Sequence, residues 1–436
     1  MKLSKVSIAC LMAGLSAAGS NVMASENTQG FEFHGYFRAG ALYSANDDFK
    51  RSKFPATKEK LGRLGIESDN HFELALQKNF DTADGQNIRI KTRAGADNAQ
   101  SAGKNQLGTN ADAANGSIGL IETFVEFDGV TETGTVWGGK RFYGKDNYIF
   151  MTDFFYTDMS GTGVGVEGIE LGGNKWDFAY IASDNAEGGY YFLPGQDGKY
   201  NNPMHSVHVG VNFGSFELHA MGKYLPDNIV DENGTDVTYA DSGFDVTGIY
   251  NSDTVFGLSD KGFTKYIAQA GKGLGSGQLL GGTITTYNAW KPGYGGAMGP
   301  ANMKKVDSGD VSTRALIWGG YFFENGVSVF HSIQGQYNDL EKRGKDSWAS
   351  AMIRPTFPIA KNFSIATEAG YQYGDWSDAN GNGGSAYDYK LTIAPTIAVN
   401  SGFGPVPEIR FLATYLDGSM RDKADVLVGI QADMWW

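Results

Sequence analysis

The sequence predicts an all-β chain closed into a transmembrane antiparallel barrel, and three observations carry that expectation. Apolar residues recur with a period of two along most of the chain. The faces between them are dense in ionisable and aromatic side chains, which suits a sheet with lipid on one side and a water-filled lumen on the other. The chain also begins with an export signal and ends on an amphipathic segment closing in Trp435-Trp436.

The alternation is clearest from Phe31. Odd positions read Phe31, Phe33, Gly35, Phe37, Ala39, Ala41 and Tyr43, and the intervening ones read Glu32, His34, Tyr36, Arg38, Gly40 and Leu42. A next strand is expected to set Leu64, Ile66, Phe72, Leu74 and Leu76 against Arg63, Glu67, Asp69, His71 and Glu73. In a third, Ile88, Ile90 and Thr92 alternate with Arg89, Lys91 and Arg93. A soluble sandwich shows the same period with its apolar faces packed together. Several faces here hold three or more ionisable groups with aromatics among them, so the apolar face is assigned to lipid and the charged face to the lumen. Every backbone group exposed to lipid needs a partner, hence the sheet must close.

Connections punctuate the strands unevenly. Asp84-Gly85, Glu324-Asn325-Gly326 and Lys361-Asn362 read as tight turns, whereas Asn185 to Pro203, Pro226 to Gly243 and Gly374 to Ala386 read as long polar loops. Short turns on one rim and long loops on the other are the habit of outer-membrane barrels. In the final segment Trp436, Met434, Ala432, Ile430, Val428 and Val426 share one face, and Trp435, Asp433, Gln431, Gly429 and Leu427 share the other.

The N-terminus reads as a signal peptide. Lys2 and Lys5 precede an apolar run from Val6 to Ala18 and a small-residue site at Val22-Met23-Ala24, with cleavage expected after Ala24. The domain expectation is therefore a leader at 1–24 and a single barrel domain at 25–436. The one cysteine, Cys10, lies inside the leader, so the mature chain has no disulfide and no thiolate metal ligand. With the leader removed, 34 basic face 49 acidic side chains, a net charge of −15 that argues against nucleic acid as a partner.

Five blocks carry a resemblance to a known family. They are Phe33-His34-Gly35-Tyr36-Phe37-Arg38-Ala39-Gly40, Lys140-Arg141-Phe142-Tyr143, Asp153-Phe154-Phe155-Tyr156-Thr157-Asp158-Met159-Ser160-Gly161, Pro407-Glu408-Ile409-Arg410-Phe411-Leu412-Ala413-Thr414-Tyr415, and Trp435-Trp436. In this order, spread over nearly the whole mature chain, they resemble the maltoporin family of sugar porins. The resemblance implies an eighteen-stranded barrel with an inward-folded constriction loop, a homotrimer in the outer-membrane lipid, and passive, saturable diffusion of oligosaccharides. It implies no catalysis, no cofactor and no metal.

The same resemblance implies site residues. Tyr36, Phe263, Phe403 and Trp435 match an aromatic slide, and strand parity independently puts Tyr36 and Trp435 on the lumen face. Phe403 stands one residue from the matching position, which falls on Gly404. Arg38, Arg63, His71 and Glu73 match a polar track, His71 standing where an aromatic phenol is expected. Lys145, Asp153, Phe155 and Asp158 match the constriction loop, Lys145 replacing an arginine and Phe155 a tyrosine. A pyranose has an apolar C–H face and an equator of hydroxyls, so aromatic planes hold the face while ionised groups exchange hydrogen bonds with the edge.

The departures weaken maltodextrins as cargo without removing the sugar-channel reading. Ile121 stands about where the family has an arginine, and the loop from Ala94 to Ser117 holds no aromatic residue for a neighbouring subunit to use. Two rivals stay open, a general diffusion porin and a secreted β-protein acting on glycans. The glycines at 161, 163, 165 and 168 lack the βαβ context of a phosphate loop. The six histidines show no zinc-site spacing, His205 and His208 included.

Overall fold

A computed structural model describes residues 30–51, 58–67, 70–98, 119–145, 147–182, 203–231, 234–283, 305–399, 407–419 and 421–436. Eighteen strands form one antiparallel barrel. The first nine are β1 (Phe31–Ser44), β2 (Asn70–Asp81), β3 (Asn87–Asn98), β4 (Gly119–Asp128), β5 (Thr135–Arg141), β6 (Gly161–Leu171), β7 (Asn174–Ala182), β8 (His205–Asn212) and β9 (Phe216–Tyr224). The rest are β10 (Ser242–Ser252), β11 (Gly262–Gly273), β12 (Val311–Phe322), β13 (Ser328–Leu340), β14 (Gly344–Ala360), β15 (Phe363–Ser377), β16 (Gly383–Ala398), β17 (Glu408–Gly418) and β18 (Asp425–Trp435).

Each strand pairs with its sequence neighbours, and the sheet closes because β1 pairs β2 on one side and β18 on the other. Tyr36 lies directly opposite Trp435 in that closing ladder. Closure leaves no edge, which a lipid-exposed sheet requires. Among the described residues no helix is long and apolar enough to cross a membrane, so the strands are the spanning elements.

Alternation sorts the two surfaces as the sequence predicts. Phe31, Leu76, Ile90, Val207, Ile333 and Ile430 are exposed on the outer wall. Their strand neighbours Arg38, Lys91, Ser206, Gln334 and Asp433 are buried inside. Trp436 faces outward and rests 5.7 Å from the ring of Phe33, while Trp435 takes the inner face.

The rim that carries the chain termini has short turns at 172–173, 213–215, 323–327 and 361–362. Longer connections leave the opposite rim, including 225–241 between β9 and β10. One expected long loop is shorter than read: β15 and β16 extend to 377 and 383, leaving only five residues between them. Most of the 185–203 segment lies outside the described residues.

The interior corrects a second expectation. Residues 58–67 do not extend a strand; they include one helical turn, α1 (Lys58–Leu61), and lie inside the barrel. Leu64 and Ile66 therefore face the inner wall, packed with Leu42, Leu61, Leu412 and Leu427. Two glycines make this possible. Gly62 at φ 86° and Gly65 at φ 74° take left-handed backbone, and a Cβ on either would overlap Glu368 or Thr414.

Candidate functional site

Three segments fold into the bore: 58–67, the 142–160 connection between β5 and β6, and 274–283 after β11. Their backbone polar groups leave water, so the wall must supply partners. Lys390 donates to the carbonyls of Gly62 and Leu64 at 2.6 and 2.7 Å and to Glu368 at 2.5 Å. Glu368 also accepts from Leu64 N at 3.0 Å and from Arg354. Both ends of the Lys390–Glu368 pair are 0% exposed, a burial that only dense hydrogen bonding sustains.

The second and third segments are tied to the wall and to each other. Arg354 donates to Met151 O at 3.2 Å, and Gln269 donates to Tyr156 O at 2.9 Å. Asp158 N donates to Gly281 O, and Thr283 N returns the bond to Asp158 O. Lys223, paired with Asp245 at 2.6 Å, donates to Leu279 O. Beneath the loops Ile149, Met151 and Tyr156 pack on Ile267, Leu316, Trp318, Trp348 and Met352. The side of the barrel from β10 to β16 is thus filled and dry.

The opposite side, from β17 through β1 to β6, is charged. Arg38 on β1 donates to Tyr36 Oη at 2.7 Å and to Asp153 at 3.1 Å. Arg63 reaches Glu67, Tyr148 Oη, Tyr36 Oη and Asp433. Lys58 bonds Asp153 at 2.6 Å and Glu67 at 2.5 Å. Arg410 pairs with Asp433 at 3.1 Å and with Glu408. Burial alone would raise the Asp153 carboxyl, but Lys58, Arg63 and Arg38 together hold it well below the usual carboxylate range.

Beside this centre, His71 Nε2 lies 3.0 Å from Glu73, and Arg93 bridges Glu73 and Glu122. The His71 ring is 5.7 Å from that of Tyr36. From the loop, Lys145 sits 3.7 Å over the Phe142 ring and 4.5 Å over Phe155, with Asp158 at 3.5 Å. Arg93 lies 5.2 Å over the other contributor, Phe142, so the wall meets the loop at this level. Arg89, Arg141, Glu126, Asp128 and Glu167 continue the ladder of ion pairs along β3 to β6. These groups keep partial exposure, which marks the wet side of the bore.

The structure brings Tyr36, Arg38, Arg63, His71, Glu73 and Asp153 together around one point. Lys145, Phe155 and Asp158 stand on the adjoining face of the loop, and Trp435 adjoins Tyr36 across the ladder. Arg63 reaches the lumen from the folded-in segment, not from a strand. Phe263 is on the inner wall but on the filled side, edge-on to Trp318 at 5.1 Å. Phe403 lies outside the described residues, as does Gly404.

The sequence reading missed Lys58, Glu67, Tyr148, Asp433 and Arg410 as members of the network. Parity on β17 and β18 offered a signal for Arg410 and Asp433; Lys58 and Glu67 offered none with a period. No group of three His, Cys, Asp or Glu suited to a metal ion occurs among the described residues. Glycines 161, 163 and 165 lie within β6.

A closed antiparallel barrel with an apolar outer wall, a charged wet bore and an inward loop defines a bacterial outer-membrane porin. Among solved structures the chain is similar to the Acinetobacter baumannii protein OccAB2, with a TM-score of 0.52 at 10% identity, covering 94% of this chain and 99% of that one. OccAB4 of the same organism gives 0.51 at 9% identity, covering 94% and 99%. At such identity these likenesses bear on the fold alone.

The family is more specific: residues 31–436 match the LamB porin model, and the chain belongs to the LamB porin family, whose members are channels. It is 26% identical over 453 residues to a maltoporin of Vibrio cholerae serotype O1, covering 97% of this chain and 98% of that protein. A Hahella chejuensis maltoporin is 25% identical over 435 residues, covering 98% and 97%.

Proposed function

We propose that this porin admits oligosaccharides, maltose and maltodextrins or a related sugar, by passive, saturable diffusion along the charged side of its bore, and performs no catalysis. The observation that carries this reading is the register of the closing ladder. Tyr36 and Trp435 sit side by side on the inner wall, with Arg38, Asp433, His71 and Glu73 as their neighbours. Aromatic surface next to ionised donors and acceptors fits the two chemistries of a pyranose. Each contact is weak enough to release, and a series of them permits sliding.

Tyr36 and Trp435 form the slide in this account, and Arg38, Arg63, His71 and Glu73 form the polar track. Lys145, Asp153, Phe155 and Asp158 set the eyelet. The chain is exported with cleavage after Ala24 and works in the outer-membrane lipid as a homotrimer. Planar-bilayer recording with maltotriose, sucrose and a β-glucoside as blockers tests the proposal. Saturable, sugar-dependent block supports it; an open current that no sugar reduces supports a general diffusion porin instead.

A further inference from the structure

Two histidines with no part in the slide or the track face each other on the inner wall. His208 on β8 and His219 on β9 are diagonal neighbours, because His208 pairs with Met221 and Gly210 with His219. Gly210 makes the room: a Cβ there would lie 3.0 Å from both imidazoles. His208 Nε2 and His219 Nδ1 are 3.1 Å apart, with ring centroids 5.3 Å apart and planes 21° from parallel. Nearly coplanar rings meeting nitrogen to nitrogen along the line of centroids have room for one proton between them.

The chain of bonds continues at both ends. His208 Nδ1 is 2.8 Å from Tyr143 Oη. His219 Nε2 is 3.5 Å from Glu217, which accepts from Asn251 at 2.5 Å. An ionised carboxylate only accepts, and that fixes the polarity. His219 turns Nε2–H toward Glu217 and accepts at Nδ1 from His208 Nε2–H. His208 then accepts at Nδ1 from the hydroxyl of Tyr143.

Tyr143 is the neck of the constriction loop. Its carbonyl accepts from Met159 N at 2.9 Å, pinching the two ends of the loop together. Its ring is buried with Trp137, Met159, Ile181 and Met221. Phe142 and Lys145, which form one side of the eyelet, lie within two residues of it.

We infer that His208 and His219 are positioning residues for the constriction: the neutral pair latches the neck to the wall through Tyr143, and acid releases it. This rests on the pore reading above. A first added proton forces Tyr143 from donor to acceptor. A second sets two N–H groups head to head across 3.1 Å, which breaks the contact. The charged groups around the pair are Glu217 on its own strand and Asp177 on β7, whose carboxylate reaches the same Gly210 position. Lys265 on β11 acts on Glu217, and the Arg141 guanidinium lies 5.7 Å over the Tyr143 ring. The two carboxylates favour the added protons and the two cations oppose them.

The test is single-channel recording of the full-length protein between about pH 8 and about pH 5, the range in which histidine changes charge. Open-pore current noise and the maltotriose block constant are read in wild type, His208→Gln, His219→Gln and Tyr143→Phe. Wild type is expected to gain noise and to lose block about fivefold toward the acid end. His219→Gln, which keeps a neutral donor and acceptor, retains neutral-pH behaviour and flattens the profile. Tyr143→Phe is noisy at every pH. Identical pH profiles in wild type and His219→Gln overturn the inference, even where His208→Gln fails to assemble. Current noise needs no sugar, so a channel that no saccharide blocks defeats the sugar reading and leaves the latch test intact.

Discussion

The two halves of this barrel wall use the same strand geometry for opposite ends. From β10 to β16 the inner face carries amides, aromatics and single buried ions, and all of them are spent on holding inward segments. Gln334 donates to Glu59 O, Gln269 to Tyr156 O, and Lys390 to two carbonyls. From β17 through β1 to β6 the inner face carries ion pairs that keep contact with water. A barrel of eighteen strands is wider than one sugar needs. Filling one half with its own loops leaves a narrow passage against the other, so the dry half gives the channel its gauge and the wet half gives it its chemistry.

The sharpest way to break this comparison is Lys390→Met. It removes one partner of a fully buried ion pair and two carbonyl contacts, a change that costs about 3–5 kcal/mol. The heat needed to unfold the barrel on a gel is expected to drop, and open-pore conductance to rise as 58–67 loosens. Unchanged values in both assays contradict the division of labour.

Substitutions on the wet half act on sugar and not on the fold. Tyr36→Ala and Trp435→Ala should each weaken saccharide block about five- to tenfold while sparing open-pore conductance, as expected for one aromatic contact of about 1 kcal/mol. Phe263→Ala sharpens the contrast from the filled side. Its ring packs edge-on to Trp318, so block should change by less than about twofold, with a modest loss of thermal stability.

The smallest expected effect is none at all. The Asp153 carboxyl is held below its ordinary value, so its contribution is fully present above the unfolded value of about 3.9. It is lost only as pH falls through the lower folded value. The Arg38, Lys58 and Arg63 network therefore persists unchanged from neutral pH to about pH 5, and ion selectivity measured by reversal potential should be flat there. Acid sensitivity in that range belongs to the histidine latch.

The wet half was the legible one. On β1, β3 and β18 each residue obeys a strict two-fold alternation, so Tyr36, Arg38, Arg93 and Trp435 are placed by counting. Counting failed at 58–67 for a physical reason. Arg63, Leu64, Ile66 and Glu67 mimic a strand, yet Gly62 and Gly65 turn the backbone where no strand goes, and the pair of glycines three apart was the available warning. The inward course of 274–283 had no such cue, because its anchors Lys223 and Asp245 sit on strands far away in sequence. Gly210, which opens space for the histidine pair, reads as an ordinary strand residue until its neighbours are known.

The most direct measurement introduces single cysteines into the mature chain, which has none of its own once the leader is removed, and asks which ones a water-soluble thiol reagent reaches from the open channel. The account predicts rapid labelling with loss of current for His71→Cys and Arg93→Cys, and protection for Gln334→Cys and Gln372→Cys. Fast labelling of the latter two with the former two protected would put the passage on the opposite side of the barrel and contradict it.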